Sequence, residues 1–303
     1  MKLGLALGSG GARGWCHIGA LLELDEMDLR PDVVAGCSMG ALVGAAYAGG
    51  CLDALEEWAR GLTRQSVMRL LDIRLSGGGL VQGAAITQVL GEIGVPERIE
   101  DLERRFLAVA TDMESGREVW LQEGSVAETV RASIAIPGVF APHWHGGRWL
   151  LDGGLVNPVP TTACRALGAD VVIAVNPNGP HGDRLWYPPE PEESIWPGLL
   201  EGQSGVSLPE PIQNWLKPKD RRDKPAAPDY FDVVSTSIDI MTEYLRKTRA
   251  AGDPAHVALD ADLRQEILVL ELEKAAPAID EGRRIVREKR DEILRVCEAG
   301  GLP

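Results

Sequence analysis

The chain is short of positive charge. Its 31 Lys and Arg stand against 45 Asp and Glu, a formal net charge of −14 over 303 residues. That balance argues against a nucleic-acid partner and against general electrostatic attraction to an anionic bilayer, since both need a basic surface. A local basic patch, and transient contact with a membrane periphery, stay open. Cysteine is scarce and unpaired in pattern: the five are odd in number and contain no Cys-x-x-Cys. They read as reduced thiols in a cytosolic setting. Long apolar runs are almost missing. Met1-Lys2 followed by Leu3 to Leu7 imitates a signal peptide, but its apolar core is too short. Residues 33–52 carry no charge, with Gly36, Gly40 and Gly44 at GxxxG spacing, long enough to cross a bilayer. Ser38 and the glycines there suit a buried turn and close helix packing better. The expected location is the cytoplasm, with neither signal peptide nor membrane span. No internal repeat is present.

Glycine is abundant, and it clusters around candidate chemistry. Ser38 lies in Gly36-Cys37-Ser38-Met39-Gly40, between an apolar run (Val33-Val34-Ala35) and a small-residue helical stretch. That is the strand–turn–helix setting of a nucleophile elbow, in which a strained turn exposes a serine hydroxyl. The rival reading is an ordinary strand-to-helix turn. Cys37, beside it, reads as a small buried packing residue.

A second segment runs Leu3 to Leu7, then Gly8-Ser9-Gly10-Gly11-Ala12-Arg13-Gly14, then a helical pattern from Trp15. Such a turn can aim several amides at one point, and the helix start adds partial positive charge. It would hold a phosphate or the oxyanion of a tetrahedral intermediate. A dinucleotide fingerprint fits poorly, because Arg13 occupies the third glycine position and Asp32 precedes its strand.

The third segment is Trp149-Leu150-Leu151-Asp152-Gly153-Gly154. An aspartate after a short apolar strand sits where open α/β sheets build sites. A plain turn aspartate is the alternative.

Together these segments resemble the patatin-like phospholipase family. The glycine-rich anion loop is matched by residues 8–14, including Arg13 and Gly14, with Ser9 standing where many members carry glycine. The Gly-x-Ser-x-Gly elbow is matched from Gly36 to Gly40, and the Asp-Gly-Gly element from Asp152 to Gly154. Arg131-Ala132-Ser133, Ile136-Pro137, Phe140 and Asn157-Pro158 agree as well. The length and Gly14-Trp15-Cys16-His17-Ile18-Gly19 are similar to small bacterial members related to the catalytic domain of neuropathy target esterase.

The resemblance implies a three-layer α/β/α fold with a mainly parallel sheet. It also implies a Ser38–Asp152 dyad acting on lipid acyl esters through an acyl-enzyme, without metal or organic cofactor. Amides of Gly10, Gly11 and Ala12 would form the oxyanion hole, supported by Ser9, Arg13, Gly14, Gly36, Gly40, Gly153 and Gly154. Arg13 would anchor the loop or an anionic part of the substrate. A histidine in the relay would have to follow Asp152. Only His181, in a Pro-rich loop, and His256, in a turn, do so, and both read as surface residues. His17 reads as a packing or hydrogen-bonding residue. His143 and His145 flank Trp144, and a metal there would need further ligands that the sequence does not place. A non-catalytic binding protein retaining the fold is the alternative of another class.

The coarse pattern alternates. Strands are expected over 3–7, 33–35, 106–111, 118–122, 149–151 and 171–176, with 118–122 closing a hairpin. Helices are expected over 15–27, 39–48, 52–62, 83–93, 126–133, 160–167, 230–250 and 276–298. The whole chain reads as one catalytic domain. A Pro- and Trp-rich insertion over about 177–228 would be either a linker or a flap, and residues 66–79 could form a second mobile cover.

Overall fold

The computed structural model describes residues 2–70, 83–179, 185 and 230–301. Eight strands make one sheet: β1 (Leu3–Leu7), β2 (Val33–Cys37), β3 (Arg105–Asp112), β4 (Glu118–Leu121), β5 (His143–His145), β6 (Arg148–Asp152), β7 (Val171–Asn176) and β8 (Val257–Asp260). Pairing follows β5-β6-β3-β2-β1-β7-β8, with β4 also on β3. The β3-β2-β1-β7-β8 run is parallel, whereas β4 and β6 join β3 antiparallel and β5 joins β6 antiparallel.

Sequence explains the centre of this sheet. Strands β1, β2 and β7 are uniformly apolar or small, and every residue in them except Asn176 is of that kind; all are buried. Strands covered on both faces need such continuous runs. Edge strand β8 alternates buried and exposed positions, as expected where one side meets water.

The helices are α1 (Cys16–Glu26), α2 (Met39–Ala48), α3 (Leu52–Arg60), α4 (Arg64–Leu70), α5 (Ala84–Glu92), α6 (Val126–Ser133), α7 (Thr161–Ala166), α8 (Tyr230–Gly252), α9 (Ala275–Glu288) and α10 (Arg290–Ala299). One face of the sheet carries the main core, where α1, α2 and α9 pack with Leu5, Leu7, Val34 and Phe106. The opposite face is thinner and is covered by α7 over Ala6, Ala35, Leu107 and Val172. The result is the three-layer α/β/α arrangement that the alternating pattern predicts. Helices α1 and α9 cross closely: a Cβ at Gly19 would strike the Ile279 carbonyl, and one at Gly282 the Cys16 carbonyl.

Several expectations need correcting. The helix expected over 276–298 is two helices, broken at Lys289, and the first of them buries Ala278, Ile279, Gly282, Ile285 and Val286. The first helix begins as a 3-10 turn over Gly11–Trp15. Strands β5 and β8 and helix α4 were not expected. Strand β5 reads His-Trp-His, which carries no apolar run; its hairpin is instead marked by Gly146 and Gly147 at φ 57° and 79°, the positive pair that a two-residue turn requires. Most of the expected covers, residues 71–79 and 180–228 apart from Leu185, lies outside the described residues. Among the described residues no helix is long and apolar enough to cross a membrane. The uncharged stretch over 33–52 is instead divided between β2, a turn, α2 and the start of α3.

Candidate active site

Strand β3 acts as the ruler of the site. On one edge its Ala108 to Thr111 pair with β4. On the other, Val109 pairs with Cys37 at the end of β2, and the next residue, Ala110, pairs with Asp152 at the end of β6. Two strands therefore meet end to end along one edge of β3. Because consecutive strand residues are separated by about 3.3 Å, this register delivers Ser38 and Asp152 to neighbouring positions.

Ser38 adopts φ 55° and ψ −122°, and Asp28 is the only other non-glycine with positive φ among the described residues. Such a conformation costs on the order of 1–3 kcal/mol and persists only where the surroundings enforce it. The enforcement is visible. The Ser38 amide donates to Ser133 Oγ at 2.9 Å, and that hydroxyl donates to the Val109 carbonyl at 2.6 Å. The Ser38 carbonyl accepts from Ala41 and Leu42, starting α2. The flanking glycines are sterically required: a Cβ at Gly36 would meet the Gly40 carbonyl, and one at Gly40 the Leu7 carbonyl. Cys37 is fully buried, and burial pushes its thiol well above the usual range, which keeps it an inert packing group.

Asp152 is 5% exposed. Its amide donates to the Ala135 carbonyl at 2.9 Å, and its carbonyl accepts from Thr111 Oγ1 at 2.7 Å, so the backbone is fixed on both sides. Oδ1 accepts from the Gly154 amide at 2.7 Å. Burial raises the carboxyl pKa to about 6, while the neighbouring Ser38 hydroxyl and the Gly154 amide pull it down. Oδ2 completes no hydrogen bond in full geometry. An acceptor beside a serine hydroxyl is thus left with spare capacity, and such contacts commonly tighten only when substrate binds. A Cβ at Gly153 would strike the Val109 carbonyl, so glycine is needed directly after the acid.

The turn over residues 8–14 lies against this pair. A Cβ at Gly14 would meet Met39, next to Ser38, and one at Gly154 would meet Ser9 Oγ at 2.7 Å. Gly11 has φ 56°, and a side chain there would collide with Val269. The Ser9 amide is used on Pro158 and the Ala12 amide on Val269, both at hydrogen-bond distance. Ala12 therefore leaves the expected set of oxyanion donors, because its N–H already has a carbonyl partner. Among the described residues the Gly10 and Gly11 amides find no acceptor.

Arg13 is buried and turned inward. Its Nε donates to the Gly10 carbonyl at 3.3 Å, and its NH2 pairs with Asp239 of α8 at 3.3 Å. Arg264 reaches the same Asp239 at 3.5 Å and donates to the Asn178 carbonyl at 3.2 Å, while Asn178 Nδ2 donates to the Ser9 carbonyl at 2.9 Å. Arg13 is thus an anchor of the loop. His17 is fully buried with Nε2 on the Gly8 carbonyl at 2.8 Å, and burial lowers its pKa to about 4. His256 is exposed on the sheet edge, with Nδ1 accepting from the Val172 amide. His181 lies outside the described residues. Asp32 accepts from the Leu3 amide at 2.8 Å, at the end of β1 opposite the glycine-rich turn, where it cannot serve a nucleotide held there.

The model of the patatin-like phospholipase family matches residues 5–165, a span that contains the turn, the elbow and Asp152. The chain belongs to this family. An uncharacterised NTE family protein of Mycobacterium tuberculosis is 33% identical over 95% of the chain and 91% of its own length. Human patatin-like phospholipase domain-containing protein 6 is 34% identical over 57% of the chain, which spans 13% of that larger protein. The solved structure of VipD from Legionella pneumophila aligns with a TM-score of 0.39 at 14% identity, covering 95% of this chain and 76% of that one. Membership of this family implies lipid acyl hydrolase activity.

The sequence did not mark three groups as part of the site. Ser133 and Thr111 hold Ser38 and Asp152 through one hydrogen bond each, and Asp239 holds Arg13 from 226 residues away. Ser133 stood in a recognisable segment, Arg131-Ala132-Ser133. Asp239 carries no local signal at all.

Proposed function

We propose that this chain hydrolyses acyl esters of lipids, lysophospholipids or phospholipids, with Ser38 as nucleophile and Asp152 as base. The observation that supports it most is the β3 register, which sets a strained serine beside a buried carboxylate with a pKa of about 6. At neutral pH most of that carboxylate is ionised, yet it is more basic than an ordinary aspartate. Asp152 accepts the Ser38 proton as Oγ attacks the ester carbonyl. The developing oxyanion is held by the Gly10 and Gly11 amides, neither of which has an acceptor among the described residues. Collapse expels the alcohol, which takes the proton back from Asp152. Water then repeats the sequence in reverse on the acyl-enzyme and frees the fatty acid. Positive φ at Gly11 and the Arg13–Asp239 pair keep the donors aimed.

The catalytic unit runs through the whole chain, since α9 packs on α1 and α8 anchors the loop. Its five free cysteines, four of them buried, suit a reducing compartment such as the cytoplasm. The test is labelling with a fluorophosphonate together with a lipid panel read by mass spectrometry. Covalent modification at Ser38 and release of fatty acid from a lysophospholipid are expected. No labelling and no release would leave a non-catalytic protein that retains the fold.

A further inference from the structure

A second cluster of chemistry lies on α6 and the β5–β6 hairpin. His143 and His145 are two apart on β5, so their side chains leave the same side of the strand, with Trp144 on the other. Glu128, in the first turn of α6, faces them: its Oε2 is 2.9 Å from His143 Nε2. The two imidazoles stack at 6.3 Å with an interplanar angle of 22°. One ligand-type atom from each of Glu128, His143 and His145 lies within 4.8 Å of the other two.

We propose that Glu128, His143 and His145 form a binding site for a divalent transition-metal ion of the zinc type. Two imidazoles and a carboxylate are a donor set suited to such ions, whereas calcium and magnesium prefer oxygen alone. Tetrahedral zinc with bonds of about 2.0–2.2 Å sets its donors about 3.3–3.5 Å apart. The three atoms all lie within 4.8 Å of one another, so modest side-chain rotation would bring them to that spacing, and Glu128 is exposed. A fourth position would face solvent and take water. The charge of Arg131 acts on Glu128 and His143, but its NH2 is turned to the backbone, and Arg148 is paired with another acid. Arg131, three residues along α6, donates from NH2 to the Ala141 carbonyl at 2.7 Å and lies over the Phe140 ring. Arg148, opposite His145 across the hairpin, pairs with Asp112 at 3.4 Å.

An ion here would join α6 to β5, the strand paired with β6, and both α6 and β6 end in the candidate active site. Helix α6 ends at Ser133, which holds the Ser38 amide, and β6 ends at Asp152. Glu128 stands in the first turn of α6, away from Ser133, and the histidines stand on β5 beside β6, so the ion's role is a clamp on the relative position of α6 and the β5–β6 hairpin, separate from the acyl-transfer chemistry.

The experiment uses the full chain, stripped with EDTA, and titrates zinc alone by calorimetry, with cobalt(II) absorption as a second probe. The expected result is one zinc per chain and a rise in Tm. The cobalt spectrum should be tetrahedral without a thiolate charge-transfer band. His145→Ala and Glu128→Gln should each weaken binding at least about tenfold, while Ser38→Ala binds as the parent does. Circular dichroism of the variants verifies their folding. If histidine replacement damages the fold, alkylating the histidines of the parent with and without zinc gives the same information, with protection of His143 and His145 expected. Absence of saturable binding up to about 1 mM zinc overturns the proposal, as does unchanged affinity in His145→Ala. A thiolate band in the cobalt spectrum does the same.

Discussion

Asp152 and Asp239 both bear on the turn over residues 8–14, through different contacts and with different consequences. Asp152 is buried with a serine hydroxyl and one amide for company and no cation, so its pKa climbs to about 6 and one oxygen keeps spare capacity. Asp239 meets Arg13 and Arg264, and one turn on, Glu243 pairs with Arg246, Lys247 and Arg264. Burial pushes the Glu243 carboxyl up, but hydrogen bonds from Arg246 and Lys247 more than offset it, and its pKa ends below the ordinary value. The same functional group is proposed as a base where its charge is left uncompensated, and it is a clamp where guanidinium groups surround it.

The comparison can be broken by exchanging what each acid has. Ser38→Ala removes the proton that Asp152 is placed to receive, and ester hydrolysis should drop to background while the Tm changes little, as measured with a short-chain chromogenic ester. Asp152→Asn keeps the shape and removes the basicity. It should cost nearly as much, on the order of 10³–10⁴ in kcat, because the two groups act as one unit. The same variant should be more stable than the parent at neutral pH. The folded-state pKa lies above the ordinary 3.8, so the folded chain binds more protons between pH 3.8 and about 6, and stability is lost as pH rises through that window. The relief should approach about 3 kcal/mol at most and shrink towards pH 4, read from denaturant unfolding at both pH values. Gly11→Ala, which would force a side chain into Val269 at φ 56°, should lower kcat by about 10²–10³ through a displaced amide. Asp239→Asn loosens the clamp only. A loss of about 1–3 kcal/mol in stability and less than about tenfold in kcat is expected, since Glu243 still holds Arg264.

What was readable in the sequence follows from how local each feature is. The elbow, the glycine-rich turn and Asp152 are short segments whose backbone demands glycine at fixed offsets, so the residue types report the geometry directly. Strands β1 and β7 lie where expected, because sheets covered on both faces leave an unbroken apolar run. Strand β5 escaped notice because its side chains are His, Trp and His, and only its Gly-Gly turn spoke for a hairpin. Strand β8 is short and half exposed at the sheet edge. The assignment of Ala12 to the oxyanion donors failed for a different reason: its amide is taken by Val269, a partner 257 residues away that no motif announces. Asp239 and Glu128 were hidden in the same way, as ordinary acids on helix faces until the fold brings Arg13 to one and two histidines to the other.

In the proposed mechanism Asp152, without a histidine, activates Ser38. The pH dependence of Ser38 modification by an uncharged fluorophosphonate measures it directly. The rate should rise with pH through a single ionisation near 6, lost in Asp152→Asn and unchanged when His181 and His256 are both replaced by Ala. A rate that does not vary between pH 4.5 and 8, or a bend that disappears with the two histidines and survives Asp152→Asn, would contradict it.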